Sequence, residues 1–442
     1  MKKIRFILSM MIIATMAFQL VGCGKTEEPK AEEATATEQA ATTEEAAPAE
    51  EVAPAEEAAA PELVPEEGAT LKLWFDNDAY AEQLIAAFNA QYPDITVTYE
   101  NVGTTDTRAK IELDGPTGNG ADVFVQPHDG VAIAAESGLI LPVETDRAYI
   151  TDKFLDTAVR AVTYKEQLYA YPLTVKTIAF FYNKALVKEA PKTWKEVFEF
   201  AKTYNDPSKN KFAMVWQANE PYFAHGFLAG YGYKMFGDNM DDKNKLNLDT
   251  PEALAGMEFY KTLHDIFPVA STDATWDVMN SVFSAGEAPF AITGPWSIQG
   301  FKDAGVDFGV TQLPMLDNGQ YPRTFNTVDT ACVSSFTLYP NAATILAKFM
   351  TTDDAFRIMY ETKVELPALK DPSTIPGVAD DANLQGVGLQ AANSDPMPFI
   401  PEMSSVWDPY KKAFSSVWDG TATPKDALLQ AQQEFNTAIE GQ

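Results

Sequence analysis

The chain has 442 residues, 46% of them hydrophobic and 12% aromatic, with a formal net charge of −30. No basic stripe is present to meet phosphate, which argues against a nucleic-acid partner, and two cysteines, Cys23 and Cys332, are too few for a disulfide framework or a cysteine-built metal site. The length and apolar content suffice for two domains with cores of their own.

Lys2, Lys3 and Arg5 open the chain, and an apolar run over 6–20 follows. It is too short and wrongly flanked for a spanning helix and is read as a secretory signal. Leu20-Val21-Gly22-Cys23 closes the run. Small residues before a cysteine resemble the lipobox of bacterial lipoproteins, which implies removal of residues 1–22 and a diacylglyceryl group on Cys23. Two acyl chains suffice for stable anchoring. The alternative is a plain signal peptide with an incidental cysteine. Residues 26–68 then carry 14 Glu against the single Lys30, and Pro29, Pro48, Pro54, Pro61 and Pro65 interrupt them. Such a stretch buries too little apolar surface to offset its ordering entropy, so 23–68 is expected to be a disordered acidic tether.

The body opens with an α/β alternation. Leu71, Leu73 and Phe75 share one face of a strand over 70–75, and Ala81, Leu84, Ile85, Phe88 and Tyr92 recur at helical spacing up to Pro93. Ile95, Val97 and Tyr99 alternate with polar residues as a second strand, and 121–125 is an apolar run of the kind found in buried parallel strands. Thr193 with Glu196 forms a capping box, while Thr250-Pro251 and Thr423-Pro424 each place a hydroxyl before a first-turn proline. Strands over 177–182, 288–293 and 331–338 interleave with these helices, so the fold class is α/β, with parallel sheets covered on both faces.

Several short motifs occur in a telling order: Leu73-Trp74-Phe75-Asp76, Asp122-Val123-Phe124 with His128-Asp129, Tyr169-Ala170-Tyr171-Pro172, Tyr182-Asn183-Lys184, Pro191-Lys192-Thr193-Trp194, Glu220-Pro221-Tyr222-Phe223, Gly294-Pro295-Trp296 and Pro401-Glu402-Met403-Ser404. Each is weak alone, but together, over nearly all the chain after Gly68, they resemble the maltose-binding proteins of bacterial ABC importers. The resemblance implies a two-lobe periplasmic-binding-protein-like fold with a hinge. It places the first lobe at 69–176 with 329–376 and the second at 177–328 with 377–442. It further implies a monomer that closes on an oligosaccharide, docks on ABC permease subunits and touches the membrane only through its lipid anchor, on the extracytoplasmic side.

A pyranose has an apolar face and a rim of hydroxyls, so its site needs flat aromatic platforms and paired hydrogen-bonding groups. By the resemblance, Trp296, Trp407, Tyr222 and Phe223 fall where sugar rings stack, and Asp78, Asp129 and Glu220 where hydroxyls are gripped. Core packing is the alternative for any single aromatic, and Trp74, inside the first strand, is assigned to it. Asp78 and Asp129 each precede a helix and serve equally well as helix caps. The chain also departs from the family: Gln126 replaces a tryptophan platform, Lys176 a glutamate of the hinge-proximal strand, and Ala79 a lysine. Gln126 and Lys176 thus join the expected ligand-binding set, although a lysine most often points to solvent. Another oligosaccharide, such as a xylo-oligosaccharide, remains an alternative ligand.

A surface glycosidase is the remaining enzymatic reading, since it too uses several acids, but it requires a defined carboxylate pair. The three histidines, His128, His225 and His264, lack metal-ligand spacing. No Gly-x-Ser-x-Gly elbow or phosphate-cradling loop occurs, and Gly115 to Gly120 reads as a turn. No cofactor or metal is expected, and the chain is read as a binding protein, not an enzyme.

Overall fold

The computed structural model describes residues 63–440. The signal sequence, Cys23 and the tether through residue 62 lie outside the described residues. The far end of the expected tether is not free, however. Glu66 accepts hydrogen bonds from the backbone N–H groups of Asn341 (2.9 Å) and Ala342 (3.0 Å), and the Asn341 amide donates to the Val64 carbonyl. A carboxylate at the exposed N–H groups of the helix Pro340–Phe349 is favoured by the helix dipole, so the ordered body begins ahead of Gly68.

Thirteen strands follow among the described residues: β1 (Thr70–Phe75), β2 (Thr96–Asn101), β3 (Val123–Pro127), β4 (Thr163–Tyr164), β5 (Gln167–Leu168), β6 (Tyr171–Lys176), β7 (Ala179–Asn183), β8 (Met214–Trp216), β9 (Phe290–Thr293), β10 (Phe308–Thr311), β11 (Thr324–Val333), β12 (Leu366–Pro367) and β13 (Ser394–Pro396). One large sheet runs β12-β6-β11-β3-β1-β2, with β13 added against β11, and a second runs β10-β7-β9-β8. Two hydrophobic alternations, at Leu71, Leu73 and Phe75 and at Val97 and Tyr99, set the first parallel register, from Thr70 opposite Thr96 to Phe75 opposite Asn101.

The sheets are mixed, which corrects the expectation of parallel ones. β1 pairs in parallel with β2 and β3, and β8 with β9, but β11 runs antiparallel to both β3 and β6, and β7 antiparallel to β9 and β10. Periodicity within a strand reports which faces are buried, not the direction of a neighbour. β11 also lies earlier than the expected 331–338. Past Val333 the hydroxyl of Ser334 accepts from the Phe336 N–H and that of Thr337 donates to Asp122, local bonds that draw the backbone out of the ladder.

Helix starts follow their caps. Thr193 accepts from the Glu196 N–H (3.3 Å) while Glu196 reaches back to the Lys192 N–H (2.6 Å), and Thr250 and Thr423 accept from Ala253 and Asp426. Gly115–Thr117 is a single tight turn that ends at Gly118 with φ +74, which suits glycine. Trp74 is wholly buried, its indole N–H on Glu100 at 2.8 Å. In the second sheet's core, Trp194 meets Phe227 edge-on at 5.4 Å and Trp216 meets Trp418 at 5.8 Å.

The two sheets are joined by short passages. Only Thr177 and Ile178 separate β6 in the large sheet from β7 in the small one, and the chain returns between β10 and β11. The Thr177 and Thr324 hydroxyls meet at 2.6 Å where these passages run side by side, and Gln390 donates to Thr324 at 3.2 Å. This is a two-lobe α/β fold with a hinge. Strand ends from both sheets face the space between them.

Candidate functional site

A cavity of about 640 Å³ is lined from both sheets. Asp76 stands just past the carboxyl end of β1, Gln126 at the end of β3 and Lys176 at the end of β6, while Thr327 and Asp329 share one face of β11 by strand alternation. From the other side come Glu220, Tyr222 and Phe223 at the start of the helix Pro221–Gly230, and Trp296 in a single turn directly after β9. Trp407 opens the helix Trp407–Trp418. Carboxyl ends of strands are where open α/β sheets leave room for ligands.

The rings form a connected wall. Trp296 lies 6.3 Å from Tyr222 and 6.2 Å, edge-on, from Phe223, while Phe325 joins Tyr222 (6.3 Å) to Trp407 (6.2 Å). Gly294 is required by this packing, because a β-carbon there would lie 2.2 Å from the Trp296 ring. The Tyr222 hydroxyl sits 3.1 Å from Thr327 Oγ1.

Each carboxylate of the cavity already has a partner. Glu220 takes Lys411 at 3.1 Å and Asp76 takes Lys363 at 2.7 Å. Asp129 accepts from the Trp407 indole N–H at 3.2 Å; burial raises its pKa, opposed by His128 and by that indole. His128 accepts from the Val328 N–H at Nδ1 (3.0 Å), so its proton sits on Nε2 and donates to the Met397 carbonyl (3.0 Å). It sets the turn that carries Asp129 and does not reach the cavity itself. For Asp76, burial works against the charge, but Lys363 and Lys176 outweigh it and hold the carboxyl below the usual range.

Lys176 does not point to solvent. It is buried between Asp329, its closest partner, and Glu365 at 3.1 Å. Burial disfavours its charge, yet Asp329 and Glu365 more than offset this, so the ammonium is held above the ordinary lysine value. Gln126 is buried too. Its Nε2 donates weakly to Cys332 Sγ at 3.3 Å, and its Oε1 has no partner among the described residues. Gly130 gives that oxygen its space, since a β-carbon there would lie 2.6 Å away.

Asp78 stands apart from the cavity. It is exposed and absent from the cavity wall, its Oδ1 accepting from Asn101 Nδ2 (2.7 Å) and the Tyr99 hydroxyl (2.9 Å), which hold its carboxyl below the ordinary value. Nor is it the cap of the helix Asp78–Gln91; Asn77 is, by accepting from the Tyr80 N–H at 2.8 Å. Asp76, two residues earlier and within the Leu-Trp-Phe-Asp motif, lines the cavity instead. Of the remaining expected residues Gln126, Asp129, Lys176, Glu220, Tyr222, Phe223, Trp296 and Trp407 all line the cavity, and Cys23 lies outside the described residues. Arg108, Trp276, Thr327 and Asp329 were not anticipated. Thr327 and Asp329 lie ahead of the strand expected over 331–338, and the helix positions of Arg108 and Trp276 gave no signal.

The family described as bacterial extracellular solute-binding protein matches residues 83–386, well over half the chain. The chain belongs to that family. Among relatives of this solute-binding protein, the galactooligosaccharide-binding protein of Bacillus subtilis is 30% identical over 386 residues, covering 85% of this chain and 90% of its own. The maltotriose-binding protein of Pyrococcus abyssi is 31% identical over 364 residues, covering 80% and 78%. In structure, MalX from Streptococcus pneumoniae in complex with maltopentaose superposes with a TM-score of 0.77 at 27% identity, covering 83% of this chain and all of that one. These similarities place the chain among binding proteins and not among glycosidases.

Proposed function

We propose that this solute-binding protein captures maltodextrin-type oligosaccharides and delivers them to the permease of an ABC importer. The observation that carries the reading is the pairing, in one cavity, of a ring wall with hydrogen-bonding groups of both kinds: Tyr222, Phe223, Trp296 and Trp407 on one side, and Asp76, Gln126, Asp129, Lys176 and Asp329 on the other. Sugar faces rest on the rings and hydroxyls meet the polar side, with Glu220 at the junction. The lobes are assigned to the two sheets, with the expected boundary at 328–329 moved back to the passage between β10 and β11 so that β11 stays whole in the large sheet. A ligand bridging them favours the closed arrangement by its extra affinity for that state, and only that difference moves the population. The working form is a monomer held on the extracytoplasmic side of the cell membrane by acylated Cys23.

A second reading, a galacto-oligosaccharide ligand, draws on the Bacillus subtilis relative. Both are tested by titrating maltotriose, longer maltodextrins, galacto-oligosaccharides and xylo-oligosaccharides while following tryptophan fluorescence and the melting temperature, then examining the sugars by chromatography. Maltodextrins are expected to shift the emission and raise the melting temperature with concentration, leaving the sugar uncut. Preference for a galacto-oligosaccharide would replace the maltodextrin assignment, and the absence of any response across the panel would refute an oligosaccharide ligand.

A further inference from the structure

Beneath the cavity runs a chain of five alternating charges. Asp329 pairs with Lys176, Lys176 with Glu365 (3.1 Å), Glu365 with Lys363 (3.3 Å) and Lys363 with Asp76 (2.7 Å). Asp76, Lys176 and Asp329 line the cavity; Lys363 and Glu365 do not. Glu365 has 1% of its side chain exposed and, among the described residues, neither of its oxygens has a hydrogen bond, so the two lysine charges beside Oε1 are what offset its burial. Replacing a buried ionic chain by apolar side chains of similar volume is often neutral or stabilising, so stability alone does not account for it.

The backbone between the two hidden charges is strained. Val364 adopts φ 54 and ψ 49, a left-handed conformation that a β-branched residue rarely takes. This reversal at the end of the helix Asp353–Lys363 turns both of its neighbours inward, Lys363 onto Asp76 and over the Phe75 ring at 4.4 Å, and Glu365 onto Lys176. An ammonium has three N–H donors. Lys176 donates one to Asp329 and faces Glu365 as a charge without a hydrogen bond, which leaves donor capacity for the cavity that it shares with the outer carboxylates of the chain, Asp76 and Asp329.

We infer that Glu365 and Lys363 are positioning residues for ligand recognition: without touching the ligand they hold Lys176 and Asp76 so that the cavity floor presents an ammonium donor together with two carboxylate acceptors, a set matched to sugar hydroxyls. The inference rests on the oligosaccharide reading above and names how its polar floor is held.

A double-mutant cycle tests it, with maltotriose titrated calorimetrically into the wild type, Glu365→Gln, Lys176→Met and the double variant. Glu365→Gln is expected to weaken binding about tenfold alone and less than twofold in the Lys176→Met background, because its effect passes through that ammonium. Wild-type affinity in Glu365→Gln, or losses that multiply in the double variant, would overturn the positioning role while leaving the sugar assignment intact. A wild type that binds no oligosaccharide removes both. Should Glu365→Gln fail to fold by circular dichroism, the cycle of Lys363→Gln against Asp76→Asn puts the same question to the other end of the chain, with the same outcomes deciding it.

Discussion

Acidification should destabilise this protein through His225. The ring lies flat on Phe325, centroids 3.8 Å apart and planes at 8°, with Nδ1 3.2 Å from the Tyr410 hydroxyl. Burial pushes its pKa down from 6.5 to about 3, with Asp395 opposing only slightly. The unfolded chain therefore takes up a proton near pH 6.5 that the folded protein refuses until near pH 3. Stability is complete above 6.5 and declines as the pH falls through that window, by about 1.4 kcal/mol per pH unit once well below 6.5. At pH 5 the loss from this one residue is about 2 kcal/mol. Buried His128, whose pKa is also lowered by burial, acts in the same direction. Urea unfolding of the wild type and of His225→Gln at pH 7, 6 and 5 isolates the effect, since the variant should start lower in stability but fall less steeply. Equal slopes for the two proteins would refute the assignment of the acid sensitivity to His225.

Three further substitutions address the cavity. Trp296→Ala should weaken oligosaccharide binding by about 1 kcal/mol or more through lost stacking, read by calorimetric titration; an unchanged dissociation constant would remove the ring from the site. Gly294→Ala should weaken binding too, because the added carbon forces the Trp296 ring aside, and it should alter the ligand-induced fluorescence change, whereas an unaltered titration would show that ring placement does not matter. For Glu220→Gln, a loss of about 1.5–3 kcal/mol is expected for a hydrogen bond to a charged group, while equal affinity would confine Glu220 to its ion pair with Lys411.

Local chemistry was legible in the sequence. The helices near Trp194, Pro251 and Pro424 start where a hydroxyl meets the first free N–H groups, and Trp74 packs inside its strand, because these outcomes depend on residues a few positions apart. The aromatic members of the site were found through ordered motifs of a family. What failed depended on distant partners. The burial of Lys176 is set by Asp329 and Glu365, more than 150 positions further along the chain, and no local pattern announces them. Asp78 and Asp76 are both acids just past a strand; only the capping bond of Asn77 and the pull of Tyr99 and Asn101 turn one outward and leave the other on the cavity. The same holds for Glu66, whose docking on a helix nearly 280 positions away ends the acidic segment early.

The two-residue link of Thr177 and Ile178 has a mechanical consequence. Rotation about so short a pivot displaces atoms in proportion to their distance from it, and Thr327, whose hydroxyl donates to the Lys176 carbonyl beside the link, lies close to that pivot. Trp276, by contrast, lines the cavity while 38% exposed, so its surroundings change with any change in the cavity's exposure to water. An indole already in place there makes the native chain its own optical gauge of closure.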